Sequence, residues 1–180
     1  MTLNEVLVTK MSHDLAGCAG VLDNMADLIL MDETFVKEGA PLLKKTTFSL
    51  ISRLKFFRSL LGLETKIDFD LADNYLKTLS NSVSLEGDVS KKLHLMFVLL
   101  AGEILIDGGS LQVNDEGFVC MGKIHVSDEK KFILLNRVTD LSVEHVLWIW
   151  LSKWMIENKL KADIYHVNDV FSLRFLSETL

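Results

Sequence analysis

One short segment near the start of the chain, Lys10 to Gly17 (KMSHDLAG), carries residue types that could perform chemistry. It places the imidazole of His13 directly before the carboxylate of Asp14. An imidazole has an ordinary pKa of about 6.5, so near neutral pH it offers a free ring nitrogen as a nucleophile or a metal ligand. No serine or cysteine accompanies it at the spacing of a catalytic pair, and a metal site would need further ligands on the same turn. Covalent phosphorylation of the ring fits these residue types best.

A long amphipathic helix is predicted to carry this segment. Apolar residues recur at steps of three and four from Leu3 to about Met31, which is the period of a helix with one buried stripe. The positions three, four and seven residues after His13 share its face of the helix and hold Ala16, Gly17 and Gly20. We therefore expect His13 to face solvent beside a patch with almost no side chains.

The two glycines on this face need an explanation, because glycine inside a helix costs about 1 kcal/mol relative to alanine. One explanation is close packing of a neighbouring helix against Gly17 and Gly20, and the other is close docking of a second protein against the imidazole. The outward-facing His13 favours docking. Asp14 has two interpretations of its own: it either orients the imidazole or is a solvated helix acid.

The helix that follows is predicted to complete a hairpin. Residues 33–40 indicate a turn, and Pro41 stands where a helix often begins. Apolar residues at helical spacing then extend to about Leu61, and Gly62 ends the helix. Two helices cannot cover both of their apolar stripes by themselves, so we expect a homodimer in which two hairpins form a four-helix bundle.

The rest of the chain predicts an α+β fold, with a domain boundary near residues 62–66 that separates a hairpin domain, 1–64, from an α/β domain, 65–180. Short strands are predicted at 66–69, 82–85, 111–113, 118–126 and 131–135, helices at 71–79, 91–106 and 143–158, and a closing hairpin at 164–167 and 170–176.

Composition narrows the class of partner and the compartment. The net charge is -6 and Lys and Arg do not cluster, which argues against a nucleic-acid surface and for protein or small-molecule partners. Cys18 and Cys120 lie far apart in sequence, which indicates neither a zinc site nor a disulfide framework. No signal-peptide pattern or stretch of about 18 apolar residues is present, so we expect a cytoplasmic protein.

A family resemblance is carried by the segment around His13. Met11 to Leu15 (MSHDL) resembles the phospho-accepting box of two-component histidine kinases, and residues 11–24 resemble more closely the ChpT-type histidine phosphotransferases of alphaproteobacteria. The resemblance implies, over essentially all 180 residues, a dimerising hairpin followed by a domain shaped like a kinase ATP-binding domain.

The resemblance also implies a function and a set of site residues. His13 would carry a phosphoryl group between receiver domains of a hybrid kinase and of response regulators, and Asp14 would be its polarising acid. The chain would need no cofactor of its own, because the receiver supplies Mg²⁺. The expected docking residues are Ala16, Gly17, Gly20, Asn24, Arg53, Phe56 and Arg58.

Three related activities are not expected. A kinase ATP-binding domain of this type needs an asparagine on its first main helix and a glycine-rich lid, but no asparagine lies between Asn81 and Asn114 and no glycine follows Gly122. Residues 117–123 have the spacing of a phosphate loop, but Ile124 replaces the required Ser or Thr. Gly17 stands where a phosphatase would hold a water-orienting Asn or Thr. A non-catalytic adaptor that binds receiver domains remains the alternative function.

Overall fold

The computed structural model describes residues 3–31, 34–63, 66–79, 82–137 and 145–177. Within these residues the chain forms a mixed α+β fold of helices and one five-stranded sheet. The elements in chain order are α1 (Leu3–Met31), α2 (Phe35–Leu60), α3 (Phe69–Leu79), β1 (Val83–Gly87), α4 (Lys92–Ile104), β2 (Gly109–Asn114), β3 (Gly117–Met121), α5 (Asp128–Leu135), α6 (Val146–Glu157), β4 (Leu160–Val167) and β5 (Val170–Ser177).

Helices α1 and α2 pack side by side as an antiparallel hairpin. The Met25 side chain lies near Gly39, while the Cys18 thiol lies 3.8 Å from the Ser49 hydroxyl. Earlier residues of α1 therefore contact later residues of α2, as in any antiparallel pair. Helix α1 is confirmed over its whole length. The predicted start of α2 at Pro41 is wrong, because the helix begins at Phe35 and contains Pro41 in its interior. The proline has no N–H, so it interrupts the hydrogen-bond ladder without ending the helix.

The sheet has the strand order β1-β2-β3-β5-β4, with β1 and β2 parallel and every other pair antiparallel. Its inner face carries buried residues such as Leu111, Phe118 and Phe171, while Gln112 and Asn114 at alternate positions of β2 are exposed. Helix α4 is buried nearly all round, as its continuous apolar sequence predicts, and α6 adds the fully buried Trp148. The closing hairpin of β4 and β5 is also confirmed.

One continuous core joins the hairpin to the sheet layer. Leu7 of α1 and the α2 residues Phe56, Phe57 and Leu60 belong to the same buried cluster as the residues that cover the sheet. The end of the hairpin that is near the sheet is therefore fixed by burial of apolar surface. The predicted boundary at residues 64 and 65 lies outside the described residues and stays a prediction.

Two predicted strands are wrong because side-chain caps start helices there. The carboxylate of Asp68 accepts a hydrogen bond from the Leu71 N–H at 2.9 Å, so helix α3 begins where a strand over residues 66–69 was predicted. The Ser127 hydroxyl likewise accepts from the Lys130 N–H, which makes residues 131–135 part of helix α5. Acidic residues in the first turn of α5 add to this preference.

The strand predicted at residues 118–126 is shorter in the structure, where β3 ends at Met121. Gly122 then has φ of +138° and packs against Gly108 and Gly109, where a Cβ atom would lie 2.8 Å from the Gly108 carbonyl oxygen. Residues 117–121 form a strand paired on both sides, so the spacing that resembles a phosphate loop does not precede a helix. Across the described residues, no helix combines the length and apolarity that crossing a membrane requires.

Candidate functional site

His13 projects from the middle of α1 into solvent, as its position on the helix predicts. Its side chain is 88% exposed, and its Nδ1 atom lies 3.6 Å from the Oδ1 atom of Asp14. The carboxylate therefore faces one ring nitrogen, which leaves Nε2 as the nitrogen available to a reactant. This arrangement favours the tautomer with the proton on Nδ1 and the lone pair on Nε2.

Asp14 is buried even though its neighbour His13 is exposed. It is only 7% accessible, its Oδ1 atom lies 3.4 Å from the Lys10 ammonium, and its buried Oδ2 atom has no hydrogen-bond partner among the described residues. The interpretation of Asp14 as a solvated helix acid is therefore wrong. A carboxylate that is mostly buried cannot rotate freely, so it keeps a fixed position beside the imidazole.

A groove of about 660 Å³ lies directly beside His13. One wall is formed by α1 through His13 and Gly17, the opposite wall by α2 through Lys45 and Arg53, and Lys77 near the end of α3 also lines it. Three cationic side chains thus line the groove, together with the carboxylate of Asp14 and several apolar residues, although the chain as a whole has a net charge of -6. Such a surface suits a partner with an anionic group.

The patch of small residues next to His13 is open. A Cβ atom added to Gly17 or to Gly20 would meet no other atom within 4 Å. Ala16 and Asn24, on the neighbouring turns, are exposed. Within the described residues, close packing of another helix therefore does not explain the two glycines.

The three docking residues predicted on α2 have three different environments. Arg53 lines the groove, but its guanidinium donates hydrogen bonds to the Thr78 hydroxyl and carbonyl oxygens, both at 3.1 Å. Phe56 is fully buried and stacked on Tyr75 with ring centroids 3.8 Å apart, so its prediction as a surface contact is wrong. Arg58 is exposed, but five residues turn a helix by about 140° from Arg53, so it lies on another face than the groove.

Sequence reasoning missed two lysines of the groove. Lys45 and Lys77 line it together with His13, and no sequence pattern links them to His13 because they belong to other helices. Lys10 is placed on the face of His13 by the helix spacing, but its ion pair with Asp14 was not predicted, although a four-residue spacing is typical of such pairs.

The comparisons with known proteins show a shared fold. No family model matches the chain, and no curated protein sequence matches it. A bacterial phosphotransferase whose structure was solved at 1.7 Å is similar over 94% of each chain, with a TM-score of 0.73 and 18% identity. The histidine kinase AdeS of Acinetobacter baumannii aligns over 93% of this chain and 98% of its own, at a TM-score of 0.36 and 16% identity, which is too low to support an argument. The chain has the fold of the first protein over nearly its whole length.

Proposed function

We propose that this protein is a histidine phosphotransferase of a two-component phosphorelay, which carries a phosphoryl group on His13 between the aspartates of receiver domains. The observation that supports this most directly is the exposed imidazole of His13 beside a groove, with the buried carboxylate of Asp14 facing its Nδ1 atom. The fold shared with a bacterial phosphotransferase also supports the proposal. We infer that the protein acts in the cytoplasm, together with the receiver domains.

The transfer needs only a nucleophile and correct positioning from this chain. The lone pair on Nε2 attacks the phosphorus of the donor's aspartyl phosphate, and the bond from phosphorus to the carboxyl oxygen breaks as the bond to nitrogen forms. The aspartate leaves as a carboxylate with the electron pair of that bond. The Nδ1 proton stays on the ring, and the Asp14 carboxylate at 3.6 Å offsets the positive charge that the ring acquires. The reverse sequence delivers the group to the second receiver.

We assign the divalent cation of this reaction to the partner. In the described residues, no three His, Cys, Asp or Glu side chains come together as a metal site. A receiver's bound Mg²⁺ would neutralise phosphoryl charge during transfer. His13 supplies the nucleophile and Asp14 orients it in either direction of transfer, and the cationic side chains of the groove attract the anionic receiver site.

The α/β part of the chain is proposed to lack kinase activity. Helix α4 carries no asparagine that could hold a metal, and the segment after Gly122 contains no glycine for a phosphate-binding lid. Backbone amides must approach phosphates closely, and glycine is the residue that permits this approach. We therefore expect the phosphoryl group to come from a receiver and not from ATP.

A second copy of the chain is proposed to complete the hairpin. Val36, Leu43 and Leu54 of α2 are 44%, 38% and 42% exposed, and they follow one another at helical spacing along one side of the helix. None of the three is a residue through which α2 meets Cys18 and Met25 of α1, since those contacts are made by Ser49 and Gly39. A matching stripe on a second hairpin would bury these three side chains in a four-helix bundle.

Transfer from a radiolabelled receiver tests the proposal. The chain is incubated with a receiver domain carrying ³²P on its aspartate, and we expect acid-labile, alkali-stable label on this chain, as is typical of phosphohistidine. His13→Gln should abolish the label, whereas the control His125→Gln should retain it. Label that persists in His13→Gln would contradict the site, and binding of the receiver without label would favour the adaptor. Incubation with labelled ATP alone should give no label.

A further inference from the structure

Lys10 and His13 contact the same oxygen atom. The Lys10 ammonium lies 3.4 Å from Asp14 Oδ1, and His13 Nδ1 lies 3.6 Å from that oxygen. Residues three apart are neighbours on a helix surface, so the lysine stem begins on the turn directly below the imidazole. Lys10 is thus the cation that α1 itself holds next to the proposed nucleophile.

The loaded histidine creates a charge problem that the free protein does not have. A phosphoryl group on His13 adds up to about two negative charges, and the carboxylate of Asp14 is already buried beside the ring. In a relay the donor receiver departs with its Mg²⁺ before the acceptor binds. During that interval, a cation of this chain that contacts the phosphoryl group would stabilise it beyond what solvent provides.

The cations that line the groove are less available than Lys10, which lies beside it on α1. Arg53 donates two hydrogen bonds to Thr78, and Lys77 is paired with Asp73 at 2.5 Å. Lys45 belongs to the opposite wall of the groove. Lys10 is on the same helix as His13, and its side chain is 29% exposed although its partner Asp14 is buried. Its flexible four-carbon stem can therefore move the ammonium toward the exposed imidazole.

We propose that Lys10 is the phosphoryl-binding residue of the loaded state. Its ammonium leaves Asp14 Oδ1 and contacts the phosphoryl oxygens on Nε2 of His13, while the Asp14 carboxylate stays beside the Nδ1 side of the ring, 3.6 Å away. No bond is made or broken in this exchange, which only replaces one anionic partner of the ammonium by another. The inference rests on the proposed function, because it requires phosphohistidine at position 13.

The test measures the equilibrium between phosphohistidine and phospho-receiver. The ratio of the two labelled proteins at the end of transfer is compared for the native chain, Lys10→Gln, Lys10→Arg and the control Lys44→Gln, an exposed lysine of α2. Loss of one partly exposed charge pair should lower the phosphohistidine fraction about fivefold in Lys10→Gln. Lys10→Arg should restore most of it, because arginine keeps the charge, and Lys44→Gln should behave as the native chain.

Each outcome separates the two claims. If Lys10→Gln has the same phosphohistidine fraction at the end of transfer as the native chain, and His13→Gln still carries no label, the role of Lys10 is overturned and the proposed function stands. Label that persists in His13→Gln would overturn the proposed function instead. A lower endpoint that Lys10→Arg does not restore would also overturn the role, since the effect would not follow charge. Equal urea midpoints of the native chain and Lys10→Gln would show that a lower phosphohistidine fraction is not caused by loss of the fold. A lower phosphohistidine fraction in a Lys10→Gln protein with a lower urea midpoint would count against the role of Lys10.

Discussion

Arg53 holds the hairpin to the last turn of α3 through Thr78. Its Nε atom donates to the Thr78 hydroxyl oxygen and its Nη2 atom to the Thr78 carbonyl oxygen, each at 3.1 Å, while Nη1 lies 3.5 Å from the Asp14 carbonyl oxygen. A cation at the carboxyl end of a helix satisfies carbonyl groups that have no partner within the helix. One side chain therefore joins α2, α3 and the residue that follows His13.

Replacing this side chain should destabilise the protein. Hydrogen bonds to a charged group contribute about 1.5–3 kcal/mol, so Arg53→Met should lower the free energy of unfolding by about that amount. The free energy of unfolding of Arg53→Lys should lie between those of the native chain and Arg53→Met, because an ammonium keeps the charge but cannot reproduce the two-donor geometry of the guanidinium. Urea denaturation checks both values. Arg53→Met combined with Thr78→Val should cost less than the two single changes added together, and strict additivity would contradict the direct link.

Gly17 should separate stability from transfer. A Cβ at this position meets no other atom within 4 Å, so Gly17→Ala should raise the free energy of unfolding by about 0.5–1 kcal/mol through better helix propensity. Gly17→Leu should also fold, yet slow phosphoryl transfer at least about tenfold, because its side chain fills the space beside His13 that a docking partner needs.

The control for this prediction is Ala19→Leu. Ala19 is exposed, and two residues rotate a helix by about 200°, so it lies away from the face that Gly17 occupies. Stopped-time labelling from a phospho-receiver gives the rates. Equal transfer by native protein and Gly17→Leu would mean that no partner approaches this face.

The exposed stripe of α2 should decide the oligomeric state. The native chain is expected to sediment as a dimer, and Leu43→Asp combined with Leu54→Asp should convert it to a monomer by placing charges in the proposed bundle interface. Phe132→Asp is the matched control, because Phe132 of α5 is a 57% exposed apolar residue outside the hairpin. A native monomer in analytical ultracentrifugation would contradict the bundle.

Cys120 should make the protein less stable in alkali. Burial raises the pKa of its thiol well above the ordinary value of 9.0. Below about pH 9 the thiol is protonated in the folded and in the unfolded protein. Above about pH 9 the thiol ionises only in the unfolded protein, so the free energy of unfolding should fall by up to about 1.4 kcal/mol per pH unit. Urea midpoints between pH 8 and 10.5 should fall less steeply for Cys120→Ala than for the native chain, and equal slopes would contradict the assignment.

Local sequence signals determined most of the fold. The spacing of apolar residues in α1 depends only on neighbours within a few turns, so it predicts both the helix and the outward position of His13 without any tertiary contact. The same holds for the buried helix α4 and for the hairpin at Asn168 and Asp169, since period and turn residues are local properties. The helix starts near residues 69 and 128 are local as well, because the caps at Asp68 and Ser127 are side chains three residues before the N–H groups that they accept from.

The environment of the site was decided by tertiary packing. The sequence could place Asp14 beside His13, but only the packing of α1 against α2 buries that carboxylate and leaves the imidazole exposed. Phe56 lies on a predicted helix like its neighbours, and its burial against Tyr75 depends on where α3 docks. Burial is a property of the assembled surface and not of a single helix. The sequence therefore determined the candidate nucleophile, and the tertiary structure determined which side chains surround it.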